Sequence, residues 1–262
     1  MKLGFFDSGM GGLLITKSVR ERMPEFDVLY YGDTLHLPYG NRSEEAIYMY
    51  AQRAMDFMFA QGCGLIVMAC NTASASALRR LQQTWLPTAY AGRNILGVVV
   101  PTLEVAASRG YKKIGLIGTN YTIKANVYEA ELQKIDPDIR IIQRATPLLV
   151  PMIENDGMRW IDAVLKHYLD PMLAEGIEGL ILGCTHYAML KDKIRAIAGD
   201  KLDILSQDDI IPTKLEDYIQ RHPEYALSRG GTLECLVSDL TDSYVQAARD
   251  LIGASIDIRK AA

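Results

Sequence analysis

Short apolar runs alternate along the chain with longer amphipathic stretches. Runs such as Leu65-Ile66-Val67-Met68-Ala69 and Gly179-Leu180-Ile181-Leu182-Gly183 show no polar alternation, the pattern of strands covered on both faces in a parallel sheet. The spacing predicts strands over residues 2–6, 27–31, 64–69, 95–100, 113–118, 139–143, 179–183, 202–205 and 232–237. Between them, apolar residues at helical spacing predict helices over 12–22, 43–60, 72–83, 101–109, 122–134, 158–175, 186–198, 209–221 and 241–252. Strands and helices alternating in this order build an α/β fold of mainly parallel sheets flanked by helices.

The pattern also repeats. Lys2-Leu3-Gly4-Phe5-Phe6-Asp7-Ser8 aligns with Lys113-Ile114-Gly115-Leu116-Ile117-Gly118-Thr119 at an offset of 113 − 2 = 111. Leu65-Ile66-Val67-Met68-Ala69-Cys70 aligns with Gly179-Leu180-Ile181-Leu182-Gly183-Cys184 at 184 − 70 = 114. Two related halves are therefore expected, and they place Cys70 and Cys184 alike, each as the last residue of a buried strand just ahead of a helix. In open α/β sheets that edge faces the ligand crevice. Small polar residues follow each cysteine, Asn71-Thr72-Ala73-Ser74 and Thr185-His186-Tyr187. Unpaired N–H groups at a helix start favour anions there and should lower the pKa of a thiol. Cys63 is expected just before a strand and Cys235 within one, and both are read as packing residues.

Composition narrows the function classes. The chain has 262 residues, 49% apolar and 23% charged, enough for one large or two modest domains. Its 28 Lys and Arg against 32 Asp and Glu give a net charge of −4, so it has no overall basic field for holding nucleic acid. Apolar runs stop well short of the roughly 20 residues that cross a bilayer. The N-terminus lacks a signal-peptide pattern, so a cytoplasmic protein is expected. Four cysteines without a C-x-x-C pair, alongside His36, His167, His186 and His222, make neither a disulfide scaffold nor a zinc site.

Two polar segments border the same edge. Asp7-Ser8-Gly9-Met10-Gly11-Gly12 fails as a dinucleotide motif, because Leu14 stands where a third glycine is needed, and as a phosphate loop, because Thr16 does. It reads as a tight strand-to-helix turn whose bare backbone lets a ligand's ammonium approach Asp7 and Ser8. Residues 32–43 form a longer loop, ending at Ser43 as the cap of the next helix. His36, His167 and His222 are read as structural, whereas His186, two residues after Cys184, is a candidate for chemistry. A hydrolase needs one nucleophilic cysteine with a base beside it. Two thiols from equivalent positions of two halves suit instead a proton removed from one face of a carbon and returned to the other.

Four motifs together resemble the glutamate racemase family of the cofactor-independent aspartate/glutamate racemase superfamily: Phe6-Asp7-Ser8-Gly9-Met10-Gly11-Gly12, Pro38-Tyr39-Gly40-Asn41-Arg42-Ser43, Ala69-Cys70-Asn71-Thr72-Ala73-Ser74 and Gly183-Cys184-Thr185-His186-Tyr187. Gly118-Thr119-Asn120-Tyr121-Thr122 is a weaker fifth. The resemblance spans residues 1 to about 190 and implies interconversion of L- and D-glutamate, supplying the D-isomer for peptidoglycan and cell shape. It implies that Cys70 works on the D-face and Cys184 on the L-face, with Asp7 and His186 as auxiliary catalytic residues. Substrate-binding positions by the same resemblance are Asp7, Ser8, Tyr39, Gly40, Asn71, Thr72, Thr119, Thr122, Thr185 and His186, and Glu154 matches an acidic residue near the cleft. It further implies no pyridoxal phosphate and no metal, a homodimer, and two pseudo-symmetric domains enclosing the site, 1–95 plus 208–262 and 96–207. Departures are Ala188, where the family usually has proline, and a fading match beyond residue 200. The first predicted strand begins at residue 2, so activation through the N-terminal extension of some members is not expected. The alternatives are an aspartate racemase or related two-cysteine isomerase, against which Pro38-Tyr39-Gly40 argues, and a non-catalytic amino-acid binder.

Overall fold

The computed structural model describes residues 1–199, 202–253 and 256–261. Residues 200–201, 254–255 and 262, which fall within the expected domain ranges, lie outside the described residues. Among the described residues there are ten strands: β1 (Lys2–Asp7), β2 (Val28–Gly32), β3 (Cys63–Met68), β4 (Asn94–Gly97), β5 (Lys113–Gly118), β6 (Arg140–Ala145), β7 (Gly179–Gly183), β8 (Asp203–Leu205), β9 (Leu233–Val237) and β10 (Ile258–Lys260). They form two parallel sheets, ordered β10-β9-β2-β1-β3-β4 and β6-β5-β7-β8. Every residue of β2, β3 and β7 is buried, as their unbroken apolar runs require.

The repeat read from sequence is present in the strand pairing. Order 2-1-3-4 in the first sheet matches 6-5-7-8 in the second. Gly4 pairs with Ile66 and Gly115 with Leu180, so the register repeats at 115 − 4 = 111 and 180 − 66 = 114. The first sheet alone carries two further strands, β9 and β10, supplied by the C-terminal segment.

The helices are α1 (Gly12–Arg22), α2 (Glu44–Ala60), α3 (Asn71–Ser76), α4 (Leu78–Arg80), α5 (Leu86–Ala89), α6 (Val99–Ser108), α7 (Asn120–Lys124), α8 (Val127–Ile135), α9 (Leu149–Glu154), α10 (Ile161–Ala174), α11 (Lys191–Ala198), α12 (Gln207–Arg221) and α13 (Asp242–Ile252). Alternation along β1 divides its side chains between two cores. Leu3 and Phe5 pack with Val19 of α1, Leu215 of α12 and Tyr244 of α13. Phe6 turns the other way, onto Ile47, Met55 and Met58 of α2. Around the second sheet, Leu180 and Leu182 meet α10 through Leu165 and Leu169, while Ile114, Leu116 and Ile181 meet α6 and α8 through Leu103 and Leu132. Ser43 caps α2, its hydroxyl accepting the Ala46 N–H at 3.3 Å, with Glu44 and Glu45 in the first turn where the helix dipole favours them. No helix among the described residues is long and apolar enough to cross a membrane.

Several local readings change. The expected strand over 95–100 stops at Gly97, and Val99 opens α6; Pro101 falls in its first turn, where no N–H is needed. The helix over 72–83 is broken into α3, α4 and a π-helical stretch at Leu81–Trp85 leading into α5. The helix over 122–134 is split by Asn126, left-handed at φ 54°, into α7 and α8. That over 186–198 begins instead as a 3-10 turn, Thr185–Leu190, before α11. Cys63 is the first residue of β3 rather than ahead of it, and α9 and β10 had no sequence expectation.

Candidate active site

Each cysteine follows its strand rather than ending it. β3 stops at Met68, and two residues on Cys70 caps α3, its Sγ accepting the Ala73 N–H at 3.5 Å and lying 3.4 Å from Ser8 Oγ. Cys184 directly follows β7 and precedes the 3-10 turn; no backbone N–H caps its sulfur, which sits 3.8 Å from His186 Nδ1. Both residues are nearly buried, 5% and 8% exposed, yet both line one cavity of about 230 Å³. That is below the roughly 300–1,000 Å³ of drug-sized pockets and suits a small ligand. A larger cavity of about 440 Å³ lies against Leu78, Val99, Ile211 and Tyr218 and contains neither cysteine.

Of the residues singled out from sequence, Ser8, Tyr39, Gly40, Asn71, Thr72, Thr119, Thr185, His186 and Glu154 line the cavity with the two cysteines. Asp7 and Thr122 do not; they stand one layer behind. Asp7 is buried, its Oδ1 accepting the Gly9 N–H at 2.8 Å and its Oδ2 the Thr185 hydroxyl at 3.2 Å, a bond from the first half to the second. Thr122 lies 3.0 Å from Thr119 Oγ1 and 3.4 Å from Thr72 Oγ1, and Thr72 and Thr119 are themselves 3.0 Å apart, so three hydroxyls cluster where the halves meet. The Tyr39 hydroxyl is engaged outside the cavity lining, donating at 2.6 Å to buried Asp33, which also accepts from Ser238 at 2.8 Å and holds His36 Nδ1 at 2.8 Å. Glycine permits close approach here: a Cβ on Gly40 would lie 2.8 Å from Thr119 Cβ.

The cavity was partly hidden from sequence. Thr146, Pro147, Val150 and Pro151, after β6 and on α9, form one wall. β6 holds in the second sheet the place of β2 in the first, so the repeat itself marks this loop as the counterpart of 32–43. His36, stacked 4.1 Å from Tyr50, and His222, stacked 4.2 Å from Tyr218, are structural, and His167 lies against Tyr168. Among the described residues, no group of three or more His, Cys, Asp or Glu side chains converges as a metal site would require.

The expected lowering of the thiol does not hold at Cys70. Burial, followed by the nearby Asp7 carboxylate, pushes it up to about 12, outweighing the Ser8 and Ala73 hydrogen bonds that favour the thiolate. A single N–H from a six-residue helix is a small dipole against that desolvation. Burial likewise raises Asp7, opposed by His186 and by the N–H and hydroxyl bonds it accepts. At His186 burial disfavours the cation, but Cys184 on one side and Glu154 on the other, 2.9 Å from Nε2, prevail and raise it well above its usual value. The site thus pairs a thiol at Cys70 that burial holds against ionisation with a His186 ring whose protonated form its neighbours favour.

The chain matches the Asp/Glu/Hydantoin racemase family over residues 14–205. It is 35% identical over 237 residues to glutamate racemase of Ruegeria sp. (strain TM1040), an alignment covering 86% of this chain and 87% of that protein. Its fold is similar to the crystal structure of glutamate racemase isoform RacE1 from Bacillus anthracis, with a TM-score of 0.90 at 29% identity, covering 100% of this chain and 97% of the other. Similar too is glutamate racemase from Francisella tularensis subsp. tularensis SCHU S4 in complex with D-glutamate, with a TM-score of 0.87 at 26% identity, covering 99% and 95%.

Proposed function

The chain belongs to the Asp/Glu/Hydantoin racemase family and is an isomerase, an amino-acid racemase; from that premise we propose that it interconverts L- and D-glutamate with two cysteines, one as thiolate removing the α-proton from one face and the other as thiol delivering a proton to the opposite face. The observation that carries this reading is the placement of Cys70 and Cys184, which come from equivalent positions of two halves and line one small cavity. With L-glutamate bound, the Cys184 sulfur as thiolate takes the α-proton: the Cα–H bond breaks and an S–H bond forms. The Cys70 thiol, which burial keeps protonated, then gives its proton to the opposite face of the same carbon. The product is D-glutamate, with the charge now on Cys70, and the reverse direction exchanges the two roles.

Negative charge develops on the α-carboxylate as the proton leaves, and hydrogen-bond donors aimed there lower the barrier. Asn71, Thr72 and Thr185 supply them, while Ser8 faces the ammonium. Tyr39 and Gly40 contribute ring surface and backbone, since the Tyr39 hydroxyl is engaged by Asp33. Thr119 completes the wall, backed by Thr122. Resetting the pair is a net transfer of one proton from Cys184 to Cys70. His186, once solvent has taken its own proton, accepts the one on Cys184 while Glu154 holds its far nitrogen. Asp7, which burial keeps readily protonated, gives one to Cys70 from behind Ser8 and recovers it from solvent. General acid and base groups of this kind are each worth about 10²–10⁴ in rate.

The wider reading is an enzyme that needs neither pyridoxal phosphate nor metal, works as a homodimer and provides D-glutamate for peptidoglycan. It divides into domains 1–95 plus 208–262 and 96–207, a division supported by the sheet that β9 and β10 join. Polarimetry of L-glutamate and L-aspartate incubated side by side tests the substrate. Rotation should decay to zero for glutamate and persist for aspartate; decay for aspartate alone would overturn the assignment.

A further inference from the structure

At the back of the cavity, three buried polar side chains from distant parts of the chain meet. Tyr128 of α8 is fully buried, and its hydroxyl donates to Asn71 Oδ1 at 2.6 Å. Gln207, the first residue of α12, pairs its amide with that of Asn71: Nε2 lies 3.3 Å from Asn71 Oδ1, and Asn71 Nδ2 lies 3.4 Å from Gln207 Oε1. Gln207 Nε2 is also 3.3 Å from the Tyr128 oxygen. Of the three, only Asn71 lines the cavity.

We infer that Tyr128 and Gln207 are positioning residues that lock the Asn71 carboxamide with its N–H end turned toward the substrate. Both lone pairs of Asn71 Oδ1 are taken, by the phenol and by Gln207, so the oxygen cannot face the cavity. Turning the Asn71 amide alone would set its oxygen against Gln207 Oε1 and one NH₂ group against the other. Burial, reinforced by Cys184, raises the Tyr128 phenol, so it stays a neutral donor. Nδ2 spends one N–H on the long bond to Gln207 and keeps the other for a ligand carboxylate. An amide held this way costs less to order when substrate binds than one that must choose between two orientations. The inference rests on the racemase reading, in which Asn71 binds the substrate carboxylate.

The test is a double-mutant cycle on racemisation kinetics in both directions, with wild type, Tyr128→Phe, Asn71→Ala and the double variant, and with Gln207→Met as a second probe should Tyr128→Phe fold poorly. Losing one hydrogen bond should raise KM about three- to ten-fold in both directions, with kcat within about two-fold. The increase should vanish when Asn71 is already alanine. Should Asn71→Ala turn over too slowly, glutamate affinity by calorimetry closes the same cycle. An effect that persists undiminished without Asn71, a fall in kcat in one direction only, which would mean that Tyr128 acts on Cys184, or wild-type kinetics in both variants would each overturn the inference. A wild-type enzyme that racemises no glutamate overturns the underlying reading first, and this one with it.

Discussion

Gly11 of the first half sits against the Thr185–His186 turn of the second, and adding a single methyl group there tests whether the cleft geometry governs turnover. Its backbone is helical, φ −61° and ψ −32°, so alanine costs nothing in conformation. A Cβ at that position, however, would lie 2.3 Å from Thr185 Oγ1 and 2.8 Å from the His186 backbone nitrogen. Ordinary contact begins at 3.4 Å, so the backbone of the turn carrying Thr185 and His186 must retreat by 3.4 − 2.8 = 0.6 Å. Rotating Thr185 cannot relieve it, because the His186 nitrogen belongs to the backbone. Cys184 is the residue just before this turn, and the Thr185 bond to Asp7 would be lost with the movement. A displacement of about 1 Å at a reacting group is worth roughly 10²-fold in rate, so about half that distance is worth about ten-fold, and overpacking costs about 1–3 kcal/mol of stability. Initial rates of change in optical rotation, starting from each enantiomer, should therefore fall about ten-fold in Gly11→Ala, in a protein that still melts cooperatively. Rates within about three-fold of wild type would refute the idea that this close approach sets the position of Cys184.

Tyr39→Phe removes the 2.6 Å donor to buried Asp33 and leaves the carboxylate with His36 and Ser238. Urea unfolding should show a loss of about 1.5–3 kcal/mol, the usual worth of a hydrogen bond to a charged group; a loss below about 0.5 kcal/mol contradicts the bond's role. His186 is raised in the folded state, so its contribution is fully present below its unfolded value of about 6.5 and is lost as pH rises through the folded value. Because Glu154 supplies part of that rise, the stability gap between wild type and Glu154→Gln should be wider at pH 6 than at pH 9, and a gap that widens with pH reverses the sign of the account.

Much of this was written in the chain. The central strands of both sheets follow from unbroken apolar runs, and the repeat located both cysteines because buried strands at the same topological position face the same demands. Val98-Val99-Val100 misled for a physical reason: β-branched residues favour strands in general, but here Val98 and Val99 are buried at the start of α6, and tertiary packing overrides propensity. The break at Asn126 left no trace in the apolar periodicity, since asparagine adopts the left-handed conformation with little penalty. The Cys70 environment was misjudged because a helix start is legible in sequence, whereas depth of burial and the approach of Asp7 are not. Likewise the motif around Asp7 is plain in the chain, but its withdrawal behind Thr185 depends on how the two halves meet.

The central claim is that Cys70 and Cys184 serve opposite faces of one stereocentre. Wild type, Cys70→Ser and Cys184→Ser should each be incubated with L- and D-glutamate in deuterated water, following the α-proton signal by NMR together with optical rotation. The account predicts that wild type loses the α-proton signal while rotation decays to zero, and that neither serine variant changes the rotation of either enantiomer. A serine variant that still racemises near the wild-type rate, or a wild type that leaves the α-proton in place, would contradict it.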